Sequence, residues 1–139
     1  MTVSIILADD HPLIRRGLRG ALEAEPEFSI VAETGDGLET VRLVEQLEPD
    51  VLVLDLMMPG LGGLDVLPLI RQRCPRTRTI VLSMFSNEDF VLQALKHGAF
   101  SYALKGCDTV DAVEAVRRTA AGRRYLGPGV SQAAFDAYL

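Results

Sequence analysis

Five polar residues stand where short apolar runs end. Asp9-Asp10 follows Ser4–Ala8, Asp55 follows Val51–Leu54, Ser83 follows Thr79–Leu82, and Lys105 follows Ser101–Leu104. If the runs end side by side, these residues share one cleft. Three carboxylates there repel one another, and leaving them unpaired in a partly desolvated cleft is costly. Lys105 supplies one positive charge, too little for three anions. A hard cation with oxygen ligands, most simply magnesium (Mg²⁺), completes the balance. Each residue also has a plainer role. Asp9 or Asp10 could cap the helix opening at His11-Pro12, Asp55 could be a turn residue before Leu56-Met57-Met58-Pro59-Gly60, and Lys105 a solvated charge. The order outweighs these readings, because the acidic pair, the single acid, the hydroxyl and the lysine each end a different strand and only the second strand, Ile30–Ala32, contributes none.

Bringing them together requires parallel strands whose carboxyl ends open on one edge. The five runs are short and rich in β-branched residues, and four lack in/out alternation, which fits strands covered on both faces. Between them lie helical stripes: Leu13/Ile14, Gly17/Leu18 and Ala21/Leu22, then Leu38, Val41, Val44 and Leu47. Leu64, Leu67 and Ile70 follow, with Pro68 expected near the first turn. Phe90/Val91 with Ala94/Leu95 is expected to be capped by Asn87, and Val110, Val113 and Val116 by Asp108 or Thr109. Strands alternating with helices give an α/β fold, doubly wound, with a five-stranded parallel sheet and right-handed crossovers. Gly127-Pro128-Gly129 breaks the pattern. Val130–Leu139 reads as a short helical tail with no sheet left to join.

The chain has 139 residues, the size of one core. Hydrophobic residues make up 48% and charged residues 24%, which excludes wholesale disorder. A net charge of −5 disfavours direct DNA binding by this segment. No apolar run is long enough to cross a bilayer, and Met1-Thr2-Val3-Ser4 lacks the basic region of a secretory signal. Cys74 and Cys107 form no CxxC pair, so reduced thiols in a cytoplasmic protein are expected.

Asp9-Asp10-His11-Pro12, Leu54-Asp55-Leu56-Met57-Met58-Pro59-Gly60, Ser83 and Tyr102-Ala103-Leu104-Lys105 resemble the receiver domain of bacterial response regulators. The likeness spans roughly residues 3 to 121. The acidic opening, Gly98-Ala99 and Ala120-Ala121-Gly122 are similar to the NarL/LuxR-type subgroup. The resemblance implies a flavodoxin-like sheet of order 2-1-3-4-5 with helices on both faces. It also implies a receiver over 1–122 and a linker over 123–139 toward a helix-turn-helix domain missing from this chain. The ending in Phe135, Tyr138 and Leu139 suits a chain that stops within such a linker.

By the same resemblance, Asp55 takes a phosphoryl group from a phosphohistidine on a sensor histidine kinase. Asp10, Asp55 and the backbone carbonyl of Met57 hold Mg²⁺, with Asp9 acting through water. Lys105 pairs with a phosphoryl oxygen, Ser83 donates its hydroxyl, and Tyr102 changes rotamer to fill the space vacated. Homodimerisation follows, through the first and fifth helices or the fourth helix and fifth strand, and DNA is reached only through the missing domain. The chemistry is single-turnover, not enzymatic. Departures from the family pattern are Gly106 in place of proline, Ser83 in place of threonine, and Met84 in place of a small residue. Met57, Met84 and Phe85 are expected to restrict access to Asp55 and slow hydrolysis.

Two other functions fit part of the pattern. A Mg²⁺-dependent phosphohydrolase using an aspartyl phosphate would need an acid two residues after Asp55, where Met57 stands. A phosphorylation-independent dimerisation module would have no use for the intact acids and Lys105. His11 reads as a loop neighbour of the acidic pair.

Overall fold

The computed structural model describes residues 2–139. Five strands, β1 (Val3–Ala8), β2 (Phe28–Thr34), β3 (Val51–Asp55), β4 (Arg78–Ser83) and β5 (Ser101–Leu104), form one parallel sheet of order β2-β1-β3-β4-β5. Helices α1 (Pro12–Glu23), α2 (Gly37–Leu47), α3 (Gly63–Arg73), α4 (Glu88–His97) and α5 (Thr109–Ala120) connect and follow them. A last helix, α6, covers Gln132–Tyr138.

Alternation along the strands feeds two apolar layers. Ile5, Leu7, Val51, Val53, Ile80 and Leu82 pack with α1 and α5. Ile6, Ala8, Leu52, Leu54 and Val81 pack with α2, α3 and α4. β3 is buried throughout, as a continuous Val/Leu run between two helical layers must be, while edge strand β2 is only half covered. Register decides where the strands stop. Ala8 lies opposite Leu54, Asp55 opposite Leu82, and Ser83 opposite Leu104, so four strands end nearly level.

Several local expectations are corrected. Asp55 and Ser83 do end their strands as expected, and the corrections concern the helices. Pro68 sits in the interior of α3, because the helix already starts at Gly63. The buried face of α5 is Ala112, Ala115, Val116 and Thr119; Val110 is exposed. Asn87 occupies the N-cap of α4 without a side-chain cap bond, whereas Asp108 caps α5 by accepting from Val110 N at 3.0 Å.

The tail does find the sheet. Leu126 bridges in parallel to Tyr102, with Tyr102 N donating to Tyr125 O at 3.0 Å and Gly127 N to Tyr102 O at 2.9 Å. Tyr125, Val130 and Ala134 are buried, the last two in the layer that contains α4. Residues 124–138 thus cover the β5 edge and α4.

Candidate functional site

The level strand ends at β1, β3, β4 and β5 deliver the acids and the lysine to one pocket. Asp9 and Asp55 are buried, and the Lys105 side chain is nearly as enclosed, although its backbone lies in the loop after β5. Lys105 Nζ donates to Asp55 Oδ2 at 2.7 Å and lies 3.7 Å from Asp9 Oδ1. Asp55 Oδ1 accepts from Met57 N at 3.0 Å, so both oxygens of the central acid are oriented. Lys105 N donates to Ser83 O at 2.8 Å, which fixes the lysine's loop to the end of β4.

Asp9 carries part of the local role suspected from sequence. Its Oδ1 accepts from His11 N at 2.8 Å, turning the chain into α1, and Arg15 donates to its main-chain oxygen at 2.9 Å. Its other oxygen, Oδ2, is buried with no hydrogen-bond partner, and so is Asp10 Oδ1. Orphaned carboxylate oxygens next to a third acid form a donor set that a divalent cation satisfies. Ligand atoms of Asp9, Asp10, His11 and Asp55 lie within 4.8 Å of one another, so this acidic pocket is compatible with such an ion.

His11 is the residue that sequence reasoning left outside the site. Its Nδ1 lies 3.2 Å from Asp9 Oδ1, 3.1 Å from Asp10 Oδ1, 3.5 Å from Asp55 Oδ2 and 2.6 Å from Lys105 Nζ. Adjacency to the acid pair was the available signal. The inward turn of the ring depends on the Asp9–His11 contact, which spacing does not reveal.

Ser83 is buried beside the pocket, but its hydroxyl bonds to no acid. It accepts from Phe85 N at 3.0 Å. Tyr102 is fully buried, and its phenol donates to Phe85 O at 2.7 Å. Burial pushes the Tyr102 phenol above its ordinary value, with the Ser83 hydroxyl working in the opposite direction. The ring lies in the interior, with its hydroxyl tied to the loop that follows Ser83. Met57, Met84 and Phe85 stand at the mouth, 59%, 72% and 43% exposed, with Phe85 against Phe90 at a centroid distance of 4.7 Å. Gly106 adopts a φ of +81°, a left-handed turn that glycine takes without strain.

Fold and pocket define a single receiver unit, and the chain belongs to the response regulator receiver domain family, whose model matches residues 5–117. Its relatives are NarL/LuxR-type response regulators. It is 40% identical over 129 residues to the transcriptional regulatory protein DegU of Brevibacillus brevis, covering 93% of this chain and 55% of that protein. It is 36% identical over 128 residues to the nitrate/nitrite response regulator NarL of Escherichia coli K12, covering 92% and 59% respectively. Among solved structures, a LuxR-family two-component response regulator from Aurantimonas sp. SI85-9A1 superposes with a TM-score of 0.90 at 36% identity, covering 99% of this chain and 98% of that one. The chain thus spans between half and two thirds of the curated relatives' length.

Proposed function

We propose that Asp55 accepts a phosphoryl group from the phosphohistidine of a sensor histidine kinase, in the cytoplasm, and that the acquired charge resets how the chain assembles to control transcription. One observation carries this reading: a buried carboxylate is fixed between Lys105 Nζ and Met57 N inside an acid pocket with orphaned oxygens. An Asp55 oxygen attacks phosphorus, the P–N bond breaks, and its electron pair returns to the imidazole. Lys105 then moves its charge from Asp55 Oδ2 to a phosphoryl oxygen, which lowers the cost of placing that anion among acids. Asp10, Asp55 and the Met57 carbonyl would hold Mg²⁺, with Asp9 supporting through water; when bound, the ion neutralises the acids and phosphoryl oxygens. For Ser83 to donate to the phosphoryl group, its hydroxyl must turn away from Phe85 N, which links the event to the loop that Tyr102 holds.

The acyl phosphate is made once and hydrolysed slowly, so the chain is a switch and not an enzyme. Homodimerisation is the expected output. The edge of α4 and β5 is covered by residues 124–138, whereas the groove between α1 and α5 keeps Val110 exposed beside Val113, with Leu13 exposed at the start of α1. This favours the α1–α5 face for a second copy, and DNA would be engaged by the domain outside this chain.

The test is intact mass after incubation with acetyl phosphate. A single phosphoryl gain that requires Mg²⁺ and disappears in Asp55→Asn is expected. No gain in folded, Mg²⁺-loaded protein would leave the phosphorylation-independent module as the better reading. Multiple-turnover phosphate release would favour the phosphohydrolase.

A further inference from the structure

Nine of the twelve arginines of this acidic chain make ion pairs or hydrogen bonds among the described residues, and they do so in two ways. Arg15, Arg19, Arg73, Arg76, Arg117 and Arg118 each reach a carboxylate. Arg71, Arg78 and Arg124 reach only main-chain oxygens: Lys96 O at 3.1 Å, Ala120 O at 3.4 Å, and Ala99 O and Phe100 O at 3.3 and 3.0 Å. They come from α3, from β4 and from the segment after α5, and they line one cavity of about 220 Å³ at the amino ends of β4 and β5. No Asp or Glu lines it. Phe100 is flanked by Arg78 at 5.4 Å and Arg124 at 4.5 Å, and Arg124 also lies 5.3 Å from the Tyr138 ring of α6.

This cavity mirrors the acid pocket at the opposite edge of the sheet. Three arginines from three separate elements line one cavity with no acid among its lining residues, and like charges sharing a site are relieved by a counter-charge. A guanidinium carries five N–H donors, and the carbonyl contacts use one nitrogen of each, leaving donors for a ligand. The aromatic faces hold Arg78 and Arg124 in place, so little side-chain freedom remains to be lost on binding. Forks approaching from three directions suit a tetrahedral anion with four oxygens better than a planar carboxylate with two. We infer that the cavity bounded by Arg71, Arg78 and Arg124 is a binding site for a compact phosphate-class oxyanion. Arg124 and Tyr138 belong to the tail, while Arg78 and Phe100 belong to the sheet, so the bound anion ties residues 124–138 to the domain. The inference is independent of phosphoryl transfer at Asp55.

The experiment is an amide NMR titration of the whole chain with sodium phosphate, free of divalent metal, at ionic strength held constant with sodium chloride. Saturable shifts at Gly98, Ala99 and Phe100 are expected, weakened at least about tenfold in Arg124→Gln, as loss of charge-assisted hydrogen bonds implies. Arg71 is exposed, so Arg71→Gln preserves the fold and should weaken binding in the same direction. Sodium acetate at equal concentration should give no saturation there. The proposal is overturned by shifts confined to Asp55, Ser83 and Lys105, by unchanged half-saturation in Arg71→Gln, or by acetate binding equally well.

Discussion

Asp9 Oδ2 is buried without a partner and Asp10 Oδ1 faces the His11 ring nitrogen at 3.1 Å without a formed hydrogen bond, beside Asp55 and Lys105. Metal-free protein must bear that repulsion, so Mg²⁺ should stabilise the fold. The gain is about 2.7 kcal/mol at roughly 100-fold excess over Kd. Thermal unfolding with and without Mg²⁺ measures it, and Asp10→Asn should remove most of the metal-dependent rise. An equal rise in Asp10→Asn would mean the ion binds elsewhere. Met57 and Phe85 are exposed close in sequence to Asp55 and Ser83, and the proposed function has them restrict water at a phosphorylated Asp55. Met57→Asn and Phe85→Ala should shorten the lifetime of the phosphorylated state; unchanged dephosphorylation rates would sink that role. Tyr102 gives a pH prediction. Its phenol value is raised in the fold, so its stabilising contribution is complete below about 10 and is lost as pH climbs through the raised value. Tyr102→Phe should remove this alkaline loss while costing about 1 kcal/mol at neutral pH for the hydrogen bond to Phe85 O. The acids, Lys105 and Ser83 were legible because strand ends constrain them. The inward positions of His11 and Tyr102 were not, because side-chain rotamers leave no trace in spacing.

At the scale of elements, apolar periodicity located every strand and the helices α1 to α5, but it misjudged faces and ends. The stripe Leu38, Val41, Val44 and Leu47 has only its middle members buried, with Thr40 completing the core contact. Leu38 and Leu47, at the two ends of the stripe, are exposed to solvent. Small residues decided the true face of α5, where Ala112 and Ala115 allow close approach and the larger Val110 is left outside. The ends of α2 carry their own strain and fit. Glu48, its C-cap residue, has a φ of 47°, the left-handed region that disfavours side chains bearing Cβ. Glu48→Gly should therefore stabilise the chain by up to about 1 kcal/mol, read by denaturant midpoint. At the other end, Gly37 N donates to Pro59 O at 3.2 Å, and a Cβ on Gly37 would collide with the main chain of Leu61. Gly37→Ala should destabilise by about 1–3 kcal/mol, because backbone on both sides must move. Little or no loss would show that the loop after Asp55 yields easily.

Across the whole molecule, the segment after α5 changes what the receiver is. Read as sequence, residues 123–139 had nothing to pair with, because strand propensity in Tyr125-Leu126 is too short to register as a run. Tertiary pairing supplies what local signal lacks: Tyr102 holds the segment through its own N–H and carbonyl, Ser101 Oγ accepts from Tyr125 N at 2.9 Å, and Ala134 buries itself beside α4. Tyr102 thus touches both ends of the molecule's logic. Its phenol holds Phe85 in the loop of Ser83, and its backbone holds the tail. Undocking the tail should leave phosphoryl acceptance intact, because Asp9, Asp10, Asp55 and Lys105 make no contact with residues 124–138 among their hydrogen bonds and ion pairs. Ala134→Glu tests the separation. A carboxylate cannot be buried unpaired at this fully enclosed position, so α6 should leave α4 and expose the Gly127–Gly129 turn to protease. The expected result is rapid cleavage after residue 122 with Mg²⁺-dependent phosphoryl gain preserved. Cleavage throughout the chain together with loss of phosphoryl gain would mean that the tail is part of the folding unit and not a separable cover on its α4–β5 edge.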